Sequence, residues 1–349
     1  MTKYTARIVF AASGRGLLKD AQLIEQVLVS AGWQPELVKI PRPPDRYFQF
    51  RSLLDRFKSR LSPRLKGLVI RLQLVGYRLW GLPLNRVLLT IHLENVYARY
   101  VPAGARHWLI PNPEWIRPGA LQYLKLMDHI VCKTRDAQQR FNTLHGSVRY
   151  SGFSGDYAAG ENQRAMDYRR FLHVAGNSRL KGTAALISLW CRHPEWPVLD
   201  VVIDERSRLE AIPANVRVHE CIDSNALNTL RETCGIVLAP SESEGFGHVI
   251  LEGMAYGGVV VTVDAPPMHE LVNSERGYLV SCAHTGQCRL GDSFRIDQDH
   301  LEKTISRILT EEPQVLNRLS SNALRWVAEN HHQFIQRFQQ YLQEELTES

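Results

Sequence analysis

The sequence predicts an α/β protein made of two doubly wound halves, and three observations carry that expectation. Short apolar runs alternate with stretches of helical periodicity along most of the chain. Each half opens as strand, glycine-containing loop and helix. Near Tyr150 the texture shifts to YSGFSGDYAAGENQ, rich in Gly, Ser and polar residues, as a linker would be. At 349 residues the chain is too long for one ordinary domain and comfortable for two. Two such halves facing each other form a cleft at the carboxyl ends of their strands, where sheets of this kind bind ligands.

In the first half, Arg7–Ala12 (RIVFAA) is a short buried strand, followed by the loop Ser13-Gly14-Arg15-Gly16. Leu17, Leu18, Leu23, Ile24 and Val27 then line one side of a helix that Gly32 ends, and PELVKI is the next strand. Residues from about Arg51 to Trp80 are helical, with Leu65, Leu68, Val69, Leu72 and Val75 as an amphipathic stripe and Pro63 as a break. Arg86–His92, Trp108–Pro111 and His129–Cys132 are strands, with a helix from about Ala120 to Met127. In the second half, Phe171–Ala175, Leu199–Ile203, Val216–His219, Ile236–Ala239 and Val259–Val263 are strands with helices between them. From about Asp299 onward the chain is helical almost to its end.

Composition narrows the functional classes. Hydrophobic residues at 44% and charged residues at 22% suffice for two ordinary cores. The six cysteines form no CxxC pair, and a metal site at Cys282, His284 and Cys288 would have three ligands in a loop. Scattered cysteines fit a reducing cytosol. The opening MTKYTARIVFAAS lacks the long apolar core of a signal peptide. No stretch approaches the roughly 20 apolar residues that span a bilayer. The expectation is a cytoplasmic protein, at most peripheral at the inner membrane face. Between Lys39 and Arg86 stand twelve Lys and Arg but only two acids, Asp45 and Asp55, with aromatic residues interleaved. That block is either a solvated helix face or a surface that attracts phosphates of lipids or glycans; nucleic acid is not the expected partner.

The richest segment is PSESEGFGHVILEGMAYGGVVVTVDAPPMHE, Pro240 to Glu270, directly after the strand IVLA. Gly245 and Gly247 allow close backbone approach to a ligand, and a helix from about Gly247 to Tyr256 would aim bare N–H groups at an anion such as a diphosphate. Glu244 before the helix and Glu252 within it are eight residues apart. Carboxylates accept bidentately from vicinal hydroxyls, so one suits a sugar and the other a ribose; the bland alternative is a capping acid and a surface charge.

The run PSESEGFGHVILE resembles the E-x7-E signature of the large family of retaining nucleotide-sugar glycosyltransferases with the GT-B fold, with Glu244, Gly245, Phe246, Gly247 and Glu252 in the motif positions. The resemblance implies that Glu244 contacts the transferred sugar and Glu252 the ribose. HVAGNSRLKGTAALISLW, His173 to Trp190, is similar to the family's G-x-x-x-x-K-G segment, beginning at Gly176. There an Arg and a Lys, here Arg179 and Lys181, neutralise the departing diphosphate. The chemistry stands on its own as well, since fixed cations aimed at a leaving diphosphate stabilise the transition state above the ground state. Gly16 is expected near the diphosphate or acceptor, and His248 near the diphosphate. His92, at a strand end, either lines the active site as in relatives or is a satisfied core group; His107 and Glu94 are its rivals.

The resemblance covers about Phe171 to Tyr278. It implies an N-terminal Rossmann-like acceptor-side domain (1–155), a C-terminal nucleotide-sugar-binding domain (165–323) and a final helix (324–349) returning to the first domain. It also implies no obligatory metal or other cofactor, and retention of configuration. The function expected is sugar transfer from a nucleotide-sugar to an acceptor hydroxyl in glycan or glycoconjugate synthesis; the acceptor stays open between a lipid-linked glycan, a polysaccharide, a small metabolite and a protein, the basic block pointing toward an anionic acceptor or a membrane surface. The alternatives are a sugar-nucleotide epimerase or phosphorylase on the same scaffold, or a non-catalytic binder of anionic polymers.

Overall fold

A computed structural model describes residues 4–12, 15–41, 61–80, 85–155, 166–205, 209 and 211–347. Ser13 and Gly14 of the glycine loop, residues 42–60 and 81–84 of the basic block, residues 156–163 of the expected linker and Arg164 and Ala165 after it lie outside the described residues. The chain divides into two units, Met1–Gly152 with Phe334–Ser349, and Phe153–Gln333.

In the first unit, β1 (Thr5–Ala11), β2 (Gln34–Ile40), β3 (Val87–Glu94), β4 (Gly104–Pro111), β5 (His129–Cys132) and β6 (Val148–Tyr150) form one parallel sheet in the order β2-β1-β3-β4-β5-β6. Parallel neighbours need crossovers, and helix α1 (Arg15–Ser30) supplies the one between β1 and β2. Its stripe of Leu17, Leu23, Ile24 and Val27 is buried, as the periodicity requires. Pro63 opens α2 (Pro63–Trp80) as its first residue, where a missing N–H costs nothing. The helix expected over 120–127 is instead one turn, α3 (Pro118–Leu121), and a separate 3₁₀ turn at Leu124–Leu126. Tyr123, at φ −99° and ψ 0°, leaves helical geometry between them. Thr134 caps α4 (Arg135–Asn142) by accepting from Ala137 N at 3.1 Å. Strand β6 was not legible in the sequence, because its three residues carry a central Arg149 and are only half buried.

In the second unit, β7 (Asp167–Gly176), β8 (Leu199–Ile203), β9 (Val216–Glu220), β10 (Cys234–Ala239), β11 (Val259–Val263) and β12 (Gly277–Val280) form a parallel sheet in the order β12-β11-β10-β7-β8-β9. Every residue of β8, β10 and β11 is buried, which explains their mostly apolar sequences, broken only by buried Asp200 and Thr262 among their polar side chains. The crossovers include α5 (Thr183–Arg192), α6 (Ser224–Thr233) and α7 (His248–Ala255), with the short α8 (Met268–Leu271) after β11. Cys282–Cys288, expected as a loop, is strand β13, paired antiparallel with β14 (Gly291–Ile296). The helical end comprises α9 (Gln298–Thr310) and α10 (Pro313–Thr347). Within the first unit, Phe338 of α10 meets Trp108 edge-on at 5.5 Å, and Trp108 Nε1 donates to Glu345 at 2.7 Å.

Candidate active site

The strand order of the second sheet reverses between β7 and β10. β8 and β9 extend one way, β11 and β12 the other. At such a switch point the loops leaving the two central strands diverge and open a crevice at their carboxyl ends. The loops concerned are 177–182 after β7 and 240–247 after β10.

Backbone bonds fix these loops against each other. Glu242 N donates to Leu180 O at 2.8 Å, and Phe294 N on β14 donates to Glu242 O at 2.8 Å. Gly182, at φ 71°, caps α5 and lies against Pro240. A Cβ at Gly182 would fall deep inside contact distance of the Pro240 carbonyl, so only glycine lets the loops meet.

That contact joins Lys181 and Glu244, 63 positions apart in sequence, in an ion pair from Nζ to Oε1. Ser241 Oγ donates to the same carboxylate oxygen at 2.7 Å. The two side chains are 16% and 10% exposed, so the pair is shielded from bulk water yet reachable by a ligand. Gly176 (φ 55°) begins the loop and Arg179 is exposed on it.

Beneath the loops His173 of β7 is buried. Its Nδ1 faces Leu238 O at 2.8 Å and its Nε2 faces Thr183 Oγ1 at 2.9 Å. A carbonyl only accepts, so Nδ1 carries the proton and Nε2 accepts from the threonine hydroxyl. Burial, the largest cause, lowers its pKa to about 4, and the nearby Lys181 charge acts in the same direction. This neutral histidine ties β7, β10 and the start of α5 together.

Gly247 caps α7 at φ 101°, with Leu271 and Ile250 against it, so the helix starts abruptly after the glutamate loop. Its first-turn N–H groups carry the positive end of the helix dipole. Glu252 stands in mid-helix but is buried rather than a surface charge, in an ion pair with Arg231 of α6. Arg231, itself buried, also donates to Asn228 Oδ1 at 3.1 Å. Gly245 is buried, and Phe246 packs edge-on with Phe153 at 5.4 Å and with His248 at 5.3 Å. Phe246 and His248 therefore belong to an aromatic cluster beside the helix start.

The first unit holds the other expected residues. His92 is fully buried. Its Nδ1 accepts from Tyr97 N at 3.2 Å, and its ring lies 5.7 Å from that of His107. Burial and then His107 hold its pKa well below the usual histidine value, and its buried Nε2 meets no hydrogen-bond partner among the described residues. His107 is also buried and lowered, mainly by burial. Glu94 ends β3 at φ 67° and accepts from Asn95 Nδ2 at 3.1 Å. Gly16 is the second residue of α1 and half-buried.

Sequence reasoning missed three features. Arg231 had no signal beyond being a lone cation in an amphipathic helix. Gly182 was quoted within the lysine segment without its packing role. Lys133, at the end of β5, is paired with buried Asp20 of α1 and donates to Asn112 Oδ1 at 3.1 Å. Here a signal existed, since Asp20 interrupts the apolar stripe of α1 three residues after Leu17.

Among the described residues, no group of three or more His, Cys, Asp and Glu is placed to hold a metal ion. A groove of about 670 Å³ lined by Arg276, Arg318, Arg325 and Trp326 contains none of the residues singled out above.

Residues 161–326, nearly the whole second unit, match the family model described as glycosyl transferases group 1. Comparison with curated protein sequences finds no match. Among solved structures, the chain is similar to a glycosyltransferase from Rickettsia africae at TM-score 0.69 and 13% identity, each chain covered in full. It is similar to a sucrose-phosphate synthase from Thermosynechococcus elongatus at TM-score 0.69 and 15% identity, covering 99% of this chain and 100% of that one. It is also similar to Anabaena HepE, solved in complex with UDP and glucose, at TM-score 0.61 and 15% identity, again over 99% and 100%. At these identities the likeness shows the fold, the two Rossmann-like units of the GT-B type.

Proposed function

We propose that the protein transfers a glycosyl group from a nucleotide-sugar donor to an acceptor hydroxyl, with retention of configuration and without an obligatory divalent ion. The observation that carries this reading is the Lys181–Glu244 pair at the switch point, beside the glycine-capped start of α7. A cation, a helix N-terminus and a carboxylate together suit a sugar diphosphate: the first two for the phosphates, the third for the hydroxyls.

Lys181 and Glu244 satisfy each other. An arriving donor exchanges these partners. Lys181 turns its charge to the diphosphate, Glu244 accepts from the sugar, and Ser241 keeps the carboxylate in place. Arg179, exposed on the same loop, adds a second cation. Glu252 meets the ribose, oriented by Arg231. Gly245, Gly247 and His248 lie along the phosphates.

In the reaction, the bond from the anomeric carbon to the diphosphate oxygen breaks and a bond to the acceptor oxygen forms on the same face. The acceptor proton passes to an oxygen of the leaving phosphate. Charge grows on the diphosphate as its bond breaks, which is where Lys181 and the α7 dipole act most strongly.

The test is release of nucleoside diphosphate from a panel of UDP-, GDP-, ADP- and dTDP-sugars and of CMP from CMP-sugars, with and without EDTA. One donor class should be turned over, with or without chelator. Loss of turnover with EDTA would remove the metal-free part of the reading. Turnover of no nucleotide-sugar, with no binding either, would overturn the reading as a whole.

A further inference from the structure

Helix α2 of the first unit carries an apolar face that no part of the glycosyl-transfer reading uses. Leu65, Leu68, Leu72, Val75 and Leu79 are 52–69% exposed, half of the ten exposed large hydrophobic side chains among the described residues. Their spacing of three and four residues stacks them in one stripe. At 1.5 Å and 100° per residue the stripe is about 21 Å long and about 80° wide. The opposite side of the helix is anchored. Ile70 is buried, and Tyr123 Oη donates to Gln73, which donates to Tyr77 Oη at 2.6 Å. The exposed leucines therefore belong to a docked helix.

Charge decides what this face fits. Arg64, Arg71 and Arg78, all exposed, follow one flank of the stripe at seven-residue intervals. Lys66 lies on the anchored side, and Pro63–Trp80 contains no Asp or Glu. A second copy is a poor occupant. Pairing two such stripes would bring arginine flanks together with no acid on either helix to answer them, whereas helix pairs of this spacing rely on opposite charges at those positions. A surface with an apolar interior and anionic headgroups answers both features: leucines enter below the headgroups and arginines reach back to the phosphates. No described helix is long and apolar enough to cross a membrane, so the contact is one of lying on the surface.

We propose that α2 is a membrane-docking helix that binds anionic lipid bilayers through Leu65, Leu68, Leu72, Val75 and Leu79, with Arg64, Arg71 and Arg78 on the headgroups. This does not depend on the sugar-transfer reading.

The experiment is flotation of the full chain with vesicles of phosphatidylcholine alone and of phosphatidylcholine with phosphatidylglycerol, at low and raised salt. Binding is expected on the anionic vesicles and not on the neutral ones. Leu68→Gln/Leu72→Gln/Val75→Gln should lower the bound-to-free ratio tenfold or more at any salt. Arg64→Gln/Arg71→Gln/Arg78→Gln should lower it several-fold and flatten its salt dependence. All substituted side chains are exposed, so thermal unfolding should match the wild type and separate lost docking from lost folding. The proposal is overturned if the wild type does not float with anionic vesicles, or if the leucine variant floats as well as wild type. It is overturned too if the stripe instead drives concentration-dependent self-association that the leucine variant abolishes.

Discussion

The two units share an all-parallel, six-stranded, doubly wound sheet and differ in what they place at its carboxyl edge. In the second unit the switch-point loops carry a partly reachable Lys181–Glu244 pair and a glycine-capped helix start. The comparable strand ends of the first unit bury their charge: Lys133 and Asp20 are each almost inaccessible, and His92 is enclosed and neutral. Among the described residues, one scaffold thus presents a partly reachable ion pair at its strand ends in one case and an enclosed pair in the other. The sheets decide where loops emerge, while loop chemistry decides whether a ligand is met there. What the first unit exposes instead is the arginine-flanked apolar face of α2.

The sharpest way to separate the units is to remove one cation from each buried pair. Arg231→Met should cost about 3 kcal/mol of stability by leaving Glu252 without its cation, and should weaken donor binding as well. Lys133→Met should cost a similar amount while leaving donor affinity unchanged. Chemical denaturation with donor titration reads both quantities. Equal donor affinities in the two variants would break the distinction drawn here.

A smaller effect comes from acid. His173 has a pKa of about 4 when folded against about 6.5 for a free histidine, so the unfolded chain binds the extra proton first. Its contribution is fully present above about pH 6.5 and is lost as pH falls through 4. By about pH 5.5 the loss from this residue alone should be about 1 kcal/mol. His92 and His107, also lowered by burial, act in the same direction in the first unit. His173→Gln should flatten the acid slope of the second unit's unfolding; an unchanged slope would show that His173 is not buried neutral.

Much of this was legible in the sequence. β8 and β11 fell within their observed bounds because short, β-branched, mostly apolar segments of that length suit doubly buried strands, with Asp200 and Thr262 their polar exceptions. The helix after Gly247 was legible from its glycines, and it runs over His248–Ala255. Strand β6 and the hairpin β13–β14 were not, because half-exposed strands with polar and glycine residues leave no apolar run to detect. The site residues were nameable from the glutamate loop and the lysine segment, yet their partners were not. That Lys181 meets Glu244 depends on a contact between Gly182 and Pro240, and that Arg231 meets Glu252 depends on two helices packing side by side. Such pairings are tertiary, and no local pattern encodes them.

The most direct test of the account is the rate of donor turnover by Lys181→Ala beside the wild type, using the donor that the panel identifies. If Lys181 neutralises the departing diphosphate, turnover should fall by ~10²-fold or more, about 3 kcal/mol of transition-state stabilisation, with the fold intact. An unchanged turnover number would contradict the account and remove the Lys181–Glu244 pair from the chemistry.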